Sequence, residues 1–96
     1  MVVTVRRIVA GTDTAPQGSL VLRQLLEALG SGVDVAVSFE GIKTTSSSFV
    51  NVAFVGLLDH YSLDEIKRRL RVVHSTRQIN SMIKTRLERE ASVAAA

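Results

Sequence analysis

The sequence contains no cysteine and no tryptophan, and it has a single proline. Without cysteine there is no disulfide framework, no thiolate nucleophile and no cysteine-ligated zinc site, which suits a reducing compartment such as the cytoplasm. A membrane span needs about 18 consecutive apolar residues, and no apolar run in the sequence approaches that length. The opening residues MVVTVRR have too few apolar residues, and arginines placed too late, for a signal peptide. We therefore predict a cytoplasmic protein that does not enter a membrane.

Motifs of established catalytic or cofactor chemistry are also lacking. Gly11 and Gly18 match neither a dinucleotide-binding nor a P-loop spacing. His60 and His74 have no cysteine or acid at metal-ligand spacing, and there is no Gly-x-Ser-x-Gly elbow. A Ser–His–Asp triad remains an alternative, because the residues of a triad come together in the fold and need no fixed spacing in the sequence. Nothing in the sequence selects one. We predict a protein that is not an enzyme and needs no cofactor or metal.

The composition is that of one small domain. Of its 96 residues, 46% are hydrophobic and 22% charged, while only 4% are aromatic, so the core must consist mainly of aliphatic side chains. We assign residues 1–91 to this domain and residues 92–96 to a flexible tail. The net charge of +3 could attract an anionic partner such as a nucleic acid, yet nine acidic residues are interspersed among the twelve basic ones.

The middle of the chain changes its hydrophobic period within a short distance. From Val33 to Glu40 large apolar residues alternate with small or polar ones, which predicts a strand with one apolar face. Gly41 ends the alternation, and five hydroxyl residues follow, Thr44 to Ser48. Apolar spacing then becomes helical and predicts a buried helix over 49–58. The polar turn between these two elements is where a surface site would lie.

The flanking segments complete an alternation of strands and helices. We predict an opening strand over Val2–Ala10, a loop over Gly11–Gly18, and a helix over 20–29 that Ser19 caps and Gly30 stops. Farther on, Ser62-Leu-Asp-Glu65 is a capping box, but β-branched alternation favours one helical turn at 63–67 and a strand at 68–74. The last helix begins after Ser75 or Thr76. The order βαβαβα predicts an α/β domain with a mostly parallel or mixed sheet and helices packed on it.

The serines at the start of the central helix have two interpretations. Ser46, Ser47 and Ser48 could simply cap the helix, because a serine hydroxyl accepts a hydrogen bond from an amide of the first turn. The same geometry favours a phosphate or an acidic partner group at the helix end. The residues alone favour capping.

Three segments resemble the bacterial STAS-like family, which is distantly similar to the anti-sigma-factor antagonists. They are Val35-Ala-Val-Ser-Phe-Glu-Gly-Ile42, Ser47-Ser-Phe-Val-Asn51, and Leu70-Arg-Val-Val-His-Ser75 followed by Met82-Ile-Lys-Thr-Arg86. The resemblance extends over about Ser19 to Glu88. It implies a βαβαβα domain that binds a protein partner, such as a kinase-like ATPase or anti-sigma factor, and catalyses nothing.

The resemblance also implies a site. In anti-sigma-factor antagonists the turn before the central helix reads Asp-Ser-Ser/Thr-Gly, and a kinase-like anti-sigma factor phosphorylates the first serine. The matching positions here are Ser46, Ser47, Ser48 and Phe49, so the serine is kept while the aspartate and glycine are not. Asn51 stands where the family often has an acid. The resemblance therefore makes Ser46, Ser47, Ser48 and Asn51 candidate partner contacts, with Ser47 at the phosphoacceptor position.

A second hypothesis rests on the basic residues late in the chain. A nucleic-acid-binding or phage-encoded interference protein would use them as phosphate contacts. Alternatively, they solvate an edge strand and the last helix. The candidates are Arg68, Arg69, Arg71, Arg77, Lys84, Arg86 and Arg89.

Overall fold

The protein, described by a computed structural model over residues 1–95, is built on a three-stranded parallel sheet. Its strands are β1 (Val2–Thr4), β2 (Val35–Ser38) and β3 (Leu70–Val73), in the order β1-β2-β3. The helices are α1 (Val5–Ile8), α2 (Ala15–Gly30), α3 (Ser47–Ala53), α4 (Leu63–Arg69) and α5 (Arg77–Ala95), with a 3-10 helix at Val55–Asp59. The predicted α/β class is confirmed.

The helices cover one face of this sheet. Since the strands lie in chain order, right-handed crossovers place every connecting helix on the same side. Burial agrees with this arrangement: Val3 and Val37 are paired neighbours on one face and both belong to the hydrophobic core. On the opposite face, Val2 and Arg71 of the two edge strands are exposed, at 65% for Val2, while Ala36 and Ser38 of the central strand are buried. We call this second side the helix-free face.

The core lies between the sheet and the helices. Phe39 and Phe54 are fully buried and stack with their ring centroids 6.0 Å apart. The apolar stripes of the two long helices complete it, with Val21, Leu25, Ala28 and Leu29 from α2 and Ile79, Ile83 and Leu87 from α5. The three phenylalanines, Phe39, Phe49 and Phe54, are therefore buried among aliphatic side chains, whereas Tyr61 is half-buried at the edge of the core.

The opening strand is shorter than predicted. It ends at Thr4, and Val5–Ile8 forms a helical turn in which the amide of Val9 donates to the carbonyl of Val5 at 3.0 Å. The β-branched spelling favours a strand, but the turn lets Val5 become fully buried in the core. Packing thus overrides local propensity here.

The first long helix begins five residues earlier than predicted, because its cap is Thr14 and not Ser19. The Thr14 hydroxyl accepts from the Gln17 amide, the Gln17 side chain accepts from the Thr14 amide, and Pro16 occupies the first turn. Proline is favoured there because its missing N–H would have no partner in any case. The helix also includes Gly30, and the left-handed glycine that follows the helix is Gly32, at φ +89°.

The remaining boundaries shift by smaller amounts. The predicted helix over 49–58 is two elements, α3 and the 3-10 helix, separated at Phe54. The preference for a strand after the capping box at Ser62 is confirmed, although α4 continues to Arg69 before the strand begins. The last helix is capped by Thr76, whose hydroxyl accepts from the Ile79 amide. That helix continues through 92–95, where we predicted a flexible tail; Ala96 lies outside the described residues.

Candidate functional site

The connection from β2 to α3, residues 39–46, is the braced turn. It lies at the carboxyl edge of the sheet, where ligand sites of parallel α/β sheets usually lie. The Ile42 amide donates to the Phe39 carbonyl at 2.9 Å, and Gly41 adopts a left-handed backbone with φ of +81°. A Cβ at Gly41 would collide with the guanidinium group of Arg6. Its φ angle favours glycine at this position, whereas the exposed side chain of Arg6 can move aside.

Side chains and backbone from two distant segments brace this turn. The Thr12 hydroxyl donates to the Thr44 carbonyl at 3.0 Å, and the Thr12 carbonyl accepts from the Ser46 amide at 3.0 Å. From the other side, the Thr76 hydroxyl donates to the Lys43 carbonyl at 3.0 Å. The turn is thus fixed to the residues before α2 and to the cap of α5.

Ser46 is the helix cap, and its hydroxyl is fully engaged. The oxygen accepts from the Phe49 amide at 3.1 Å, and the hydroxyl donates to the Asp13 carbonyl at 2.8 Å. A serine hydroxyl has a single proton to donate, so Ser46 has none left for a partner. Of the three serines, this one therefore has the capping role that the sequence suggested for the run.

The exposed groups of the turn are Ser48 and Asn51. Ser47, at the position of the phosphoacceptor serine, is half-exposed as the first residue of α3, whereas Ser48 and Asn51 are exposed. Residues three apart are neighbours on a helix surface. Within residues 1–95 neither of these two side chains forms a hydrogen bond, in contrast to that of Ser46. We call Ser47, Ser48 and Asn51 the α3 turn surface.

Arg69 has a structural role that its sequence position did not indicate. Its guanidinium donates to the carbonyls of Leu29 at 2.7 Å and Val33 at 3.1 Å. It also lies 5.8 Å from the Tyr61 ring centroid and 3.8 Å from a carboxylate oxygen of Asp34. Arg69 thereby links the end of α4 to the end of α2, and its donors face internal carbonyls.

The other predicted cationic contacts are spread over several elements. Arg68 is exposed on α4, and Arg71 is exposed on the helix-free face. Arg77 and Lys84 are exposed two turns apart on α5, Arg86 is half-exposed, and Arg89 is exposed farther along the same helix. The predicted contacts therefore lie on three different elements, α4, β3 and α5.

The described residues hold neither a cluster of metal ligands nor a helix suited to a membrane. No group of three or more His, Asp or Glu side chains within residues 1–95 is arranged to hold a metal ion. No helix in that range is both long enough and apolar enough to cross a membrane.

Comparison with known proteins identifies the family. The family model described as “STAS-like domain of unknown function (DUF4325)” matches residues 17–80, which is more than half of the chain. No curated protein and no solved structure matches the chain. The matched range includes all but the first two residues of α2, all of β2 and β3, and the turn between β2 and α3 with its α3 turn surface. The chain therefore belongs to the family of STAS-like domains of unknown function, as the resemblance in its sequence indicated.

Proposed function

We propose that the protein is a non-catalytic regulatory module that binds a protein partner through the α3 turn surface. The observation that carries this proposal is the contrast within the turn. Ser46 is fixed by two hydrogen bonds, while Ser48 and Asn51, close by on the same helix, are exposed and have no hydrogen-bond partner among the described residues.

Rigidity supports this use of the surface. Phe49 and Ala53 are fully buried, and α3 packs so closely on α2 that a Cβ at Gly18 would lie 2.7 Å from the Phe49 carbonyl oxygen. Because this surface is already ordered, the module would lose little conformational entropy when it binds a partner. The exposed hydroxyl and amide supply donors and acceptors that give specificity.

The resemblance to anti-sigma-factor antagonists suggests the class of partner. Anti-sigma-factor antagonists, which the sequence resembles, switch kinase-like partners through the corresponding turn. In this chain we propose Ser47 as an unmodified contact, because Ser46 replaces the preceding aspartate and is committed to capping. Ser48, the more exposed hydroxyl, is then the principal contact, and a kinase-like ATPase or anti-sigma factor is the proposed partner.

The test is a binding titration against a partner first captured from the native host and then purified. Ser48→Arg and Asn51→Arg place a bulky cation on the α3 turn surface and should each weaken binding about tenfold or more, as loss of a central contact does. Ser92→Arg makes the same change at an exposed position near the end of α5 and should bind like the wild type.

Circular dichroism and urea denaturation of each variant serve as folding controls. If Ser48→Arg and Asn51→Arg both bind the purified partner with wild-type affinity, the turn is only a helix cap and the proposed site is wrong.

A further inference from the structure

A second surface, separate from the α3 turn surface, lies beside β3, which is an edge strand of the sheet. It is an apolar groove of about 250 Å³ between α4, β3 and α5. We call it the β3 groove and define it by six of its lining residues. These are Leu63, Val72, Ile83 and Leu87 in its wall and Lys67 and Lys84 at its rim.

The outer edge of β3 has backbone groups that the sheet does not use. The Val73 carbonyl accepts from the Phe39 amide of the β2 chain at 3.1 Å, so the peptide groups of Val73 face β2. Successive residues of a strand point their peptide groups to opposite sides, and those of Val72 therefore face away from β2. The Leu70 amide is already occupied, because it donates to the Ile66 carbonyl at the end of α4. Val72 thus offers one donor and one acceptor at a free strand edge.

The free edge and the groove are parts of one feature. Val72 pairs in register with the core residue Val37, so its side chain is on the helix-covered face and lines the groove. An extended segment paired with β3 would lie about 4.8 Å away and would direct every second side chain to that same face. An apolar cavity of about 150 Å³ holds benzene, so the β3 groove has room for a leucine or phenylalanine side chain from such a segment.

The charges at the rim indicate the kind of segment. Lys67 and Lys84 are exposed, and neither is within ion-pair distance of a carboxylate among residues 1–95, although Glu88 also borders the groove. Arg71 is a further exposed cation on β3 itself, although its side chain is on the helix-free face. A second copy of this chain paired edge to edge would bring a second set of these cations to the same edge, where like charges repel each other. An acidic segment would instead be attracted.

We propose that the β3 groove binds an extended segment of a partner protein, one that alternates large apolar side chains with acidic ones. The segment adds a fourth strand to the sheet by hydrogen bonding to Val72. Its apolar side chains fill the groove, and its carboxylates lie next to Lys67 and Lys84. This is recognition by strand addition, in which backbone bonds give affinity and alternate side-chain pockets give specificity.

The first experiment is selection from a phage-displayed library of random 12-residue peptides against the wild-type protein. We expect enrichment of peptides in which leucine, isoleucine or phenylalanine alternates with aspartate or glutamate. The affinity of one synthetic selected peptide is then measured by fluorescence polarisation for the wild type and for variants of the protein.

The variants separate the backbone bond from the charge. Val72→Pro removes the outward-facing N–H and no bond to β2, and proline is tolerated at such a position of an edge strand. We expect it to weaken peptide binding about tenfold. The double variant Lys67→Glu and Lys84→Glu should also weaken peptide binding about tenfold, and this loss should be smaller at high salt. Lys43→Glu, an exposed reversal on the braced turn, and Ser48→Arg should leave the affinity unchanged.

Several results would overturn the proposal. The first is a set of selected peptides without alternating apolar and acidic residues. The second is wild-type affinity in both Val72→Pro and the double lysine variant, each shown by circular dichroism to be folded. The third is a selected peptide that binds as a helix. A dimer in sedimentation that the double lysine variant changes would also overturn it, since the occupant would then be a second copy. Ser48→Arg tests the α3 turn surface separately. A negative result for the β3 groove therefore does not count against partner binding at the α3 turn surface.

Discussion

Replacing Arg69 with alanine should destabilise the fold, because this side chain holds two segments together. The charged donor to the partly buried Leu29 carbonyl, at 2.7 Å, contributes about 1.5–3 kcal/mol, and the more exposed bond to Val33, at 3.1 Å, about 0.5–1 kcal/mol. The contact with the Tyr61 ring adds about 0.5 kcal/mol. The ion pair with Asp34, which is 80% exposed, adds little. With water replacing part of what is lost, we expect a destabilisation of about 2–3 kcal/mol.

Urea denaturation followed by circular dichroism measures this change directly. For a domain of this size an m-value of about 1 kcal/mol per molar urea is expected, so the midpoint of Arg69→Ala should fall by about 2–3 M. Arg68→Ala is the matched control, since Arg68 is exposed on the same helix and its loss should change stability by no more than about 0.5 kcal/mol.

Equal midpoints for the two alanine variants would show that the bonds to Leu29 and Val33 do not form in solution, and would refute this reasoning. The comparison also bears on the nucleic-acid hypothesis. If Arg69 were a phosphate contact, its loss would reduce nucleic-acid binding while leaving the urea midpoint where it was.

Two further pairs of substitutions test the packing and capping described above. Gly18→Ala should destabilise the protein by about 1–3 kcal/mol through overpacking, because the new methyl group would lie 2.7 Å from a backbone oxygen of α3. Gly30→Ala, with no neighbour within 4 Å at the end of the same helix, should stabilise it by about 0.5–1 kcal/mol, and thermal denaturation distinguishes the two signs. Ser46→Ala should cost about 1–2 kcal/mol as a lost helix cap, whereas Ser48→Ala should be neutral. Equal melting temperatures for these serine variants would contradict the assignment of the cap.

The sequence predicted the order of elements where local pattern and packing agree. At Leu70–Val73 the β-branched residues form the expected strand, even though a capping box precedes them. At Val5–Ile8 a similar composition is helical, because burial of Val5 decides the backbone. The capping box of Thr14 and Gln17 was present in the sequence, but Pro16 and the nearby glycines were interpreted as loop signals.

The location of the turn could be predicted, but its bracing could not. The run of hydroxyl residues correctly indicated a helix start near Ser46. The bonds from Thr12 and Thr76 that hold the turn cross about thirty residues of sequence, and no local spacing encodes such pairings. The same is true of Arg69, whose acceptor carbonyls lie 36 and 40 residues earlier in the chain.

The strand order also has a consequence for biosynthesis. Because β1, β2 and β3 occupy the sheet in the order in which they are translated, each new strand joins the edge left by the previous one, and none is inserted between strands already paired. The nascent chain can therefore assemble progressively as it leaves the ribosome. The core is completed last, since Ile79, Ile83 and Leu87 arrive with α5. We expect ribosome-bound chains that end before α5 to be cleaved readily by proteases, and protection to begin only when this helix has emerged.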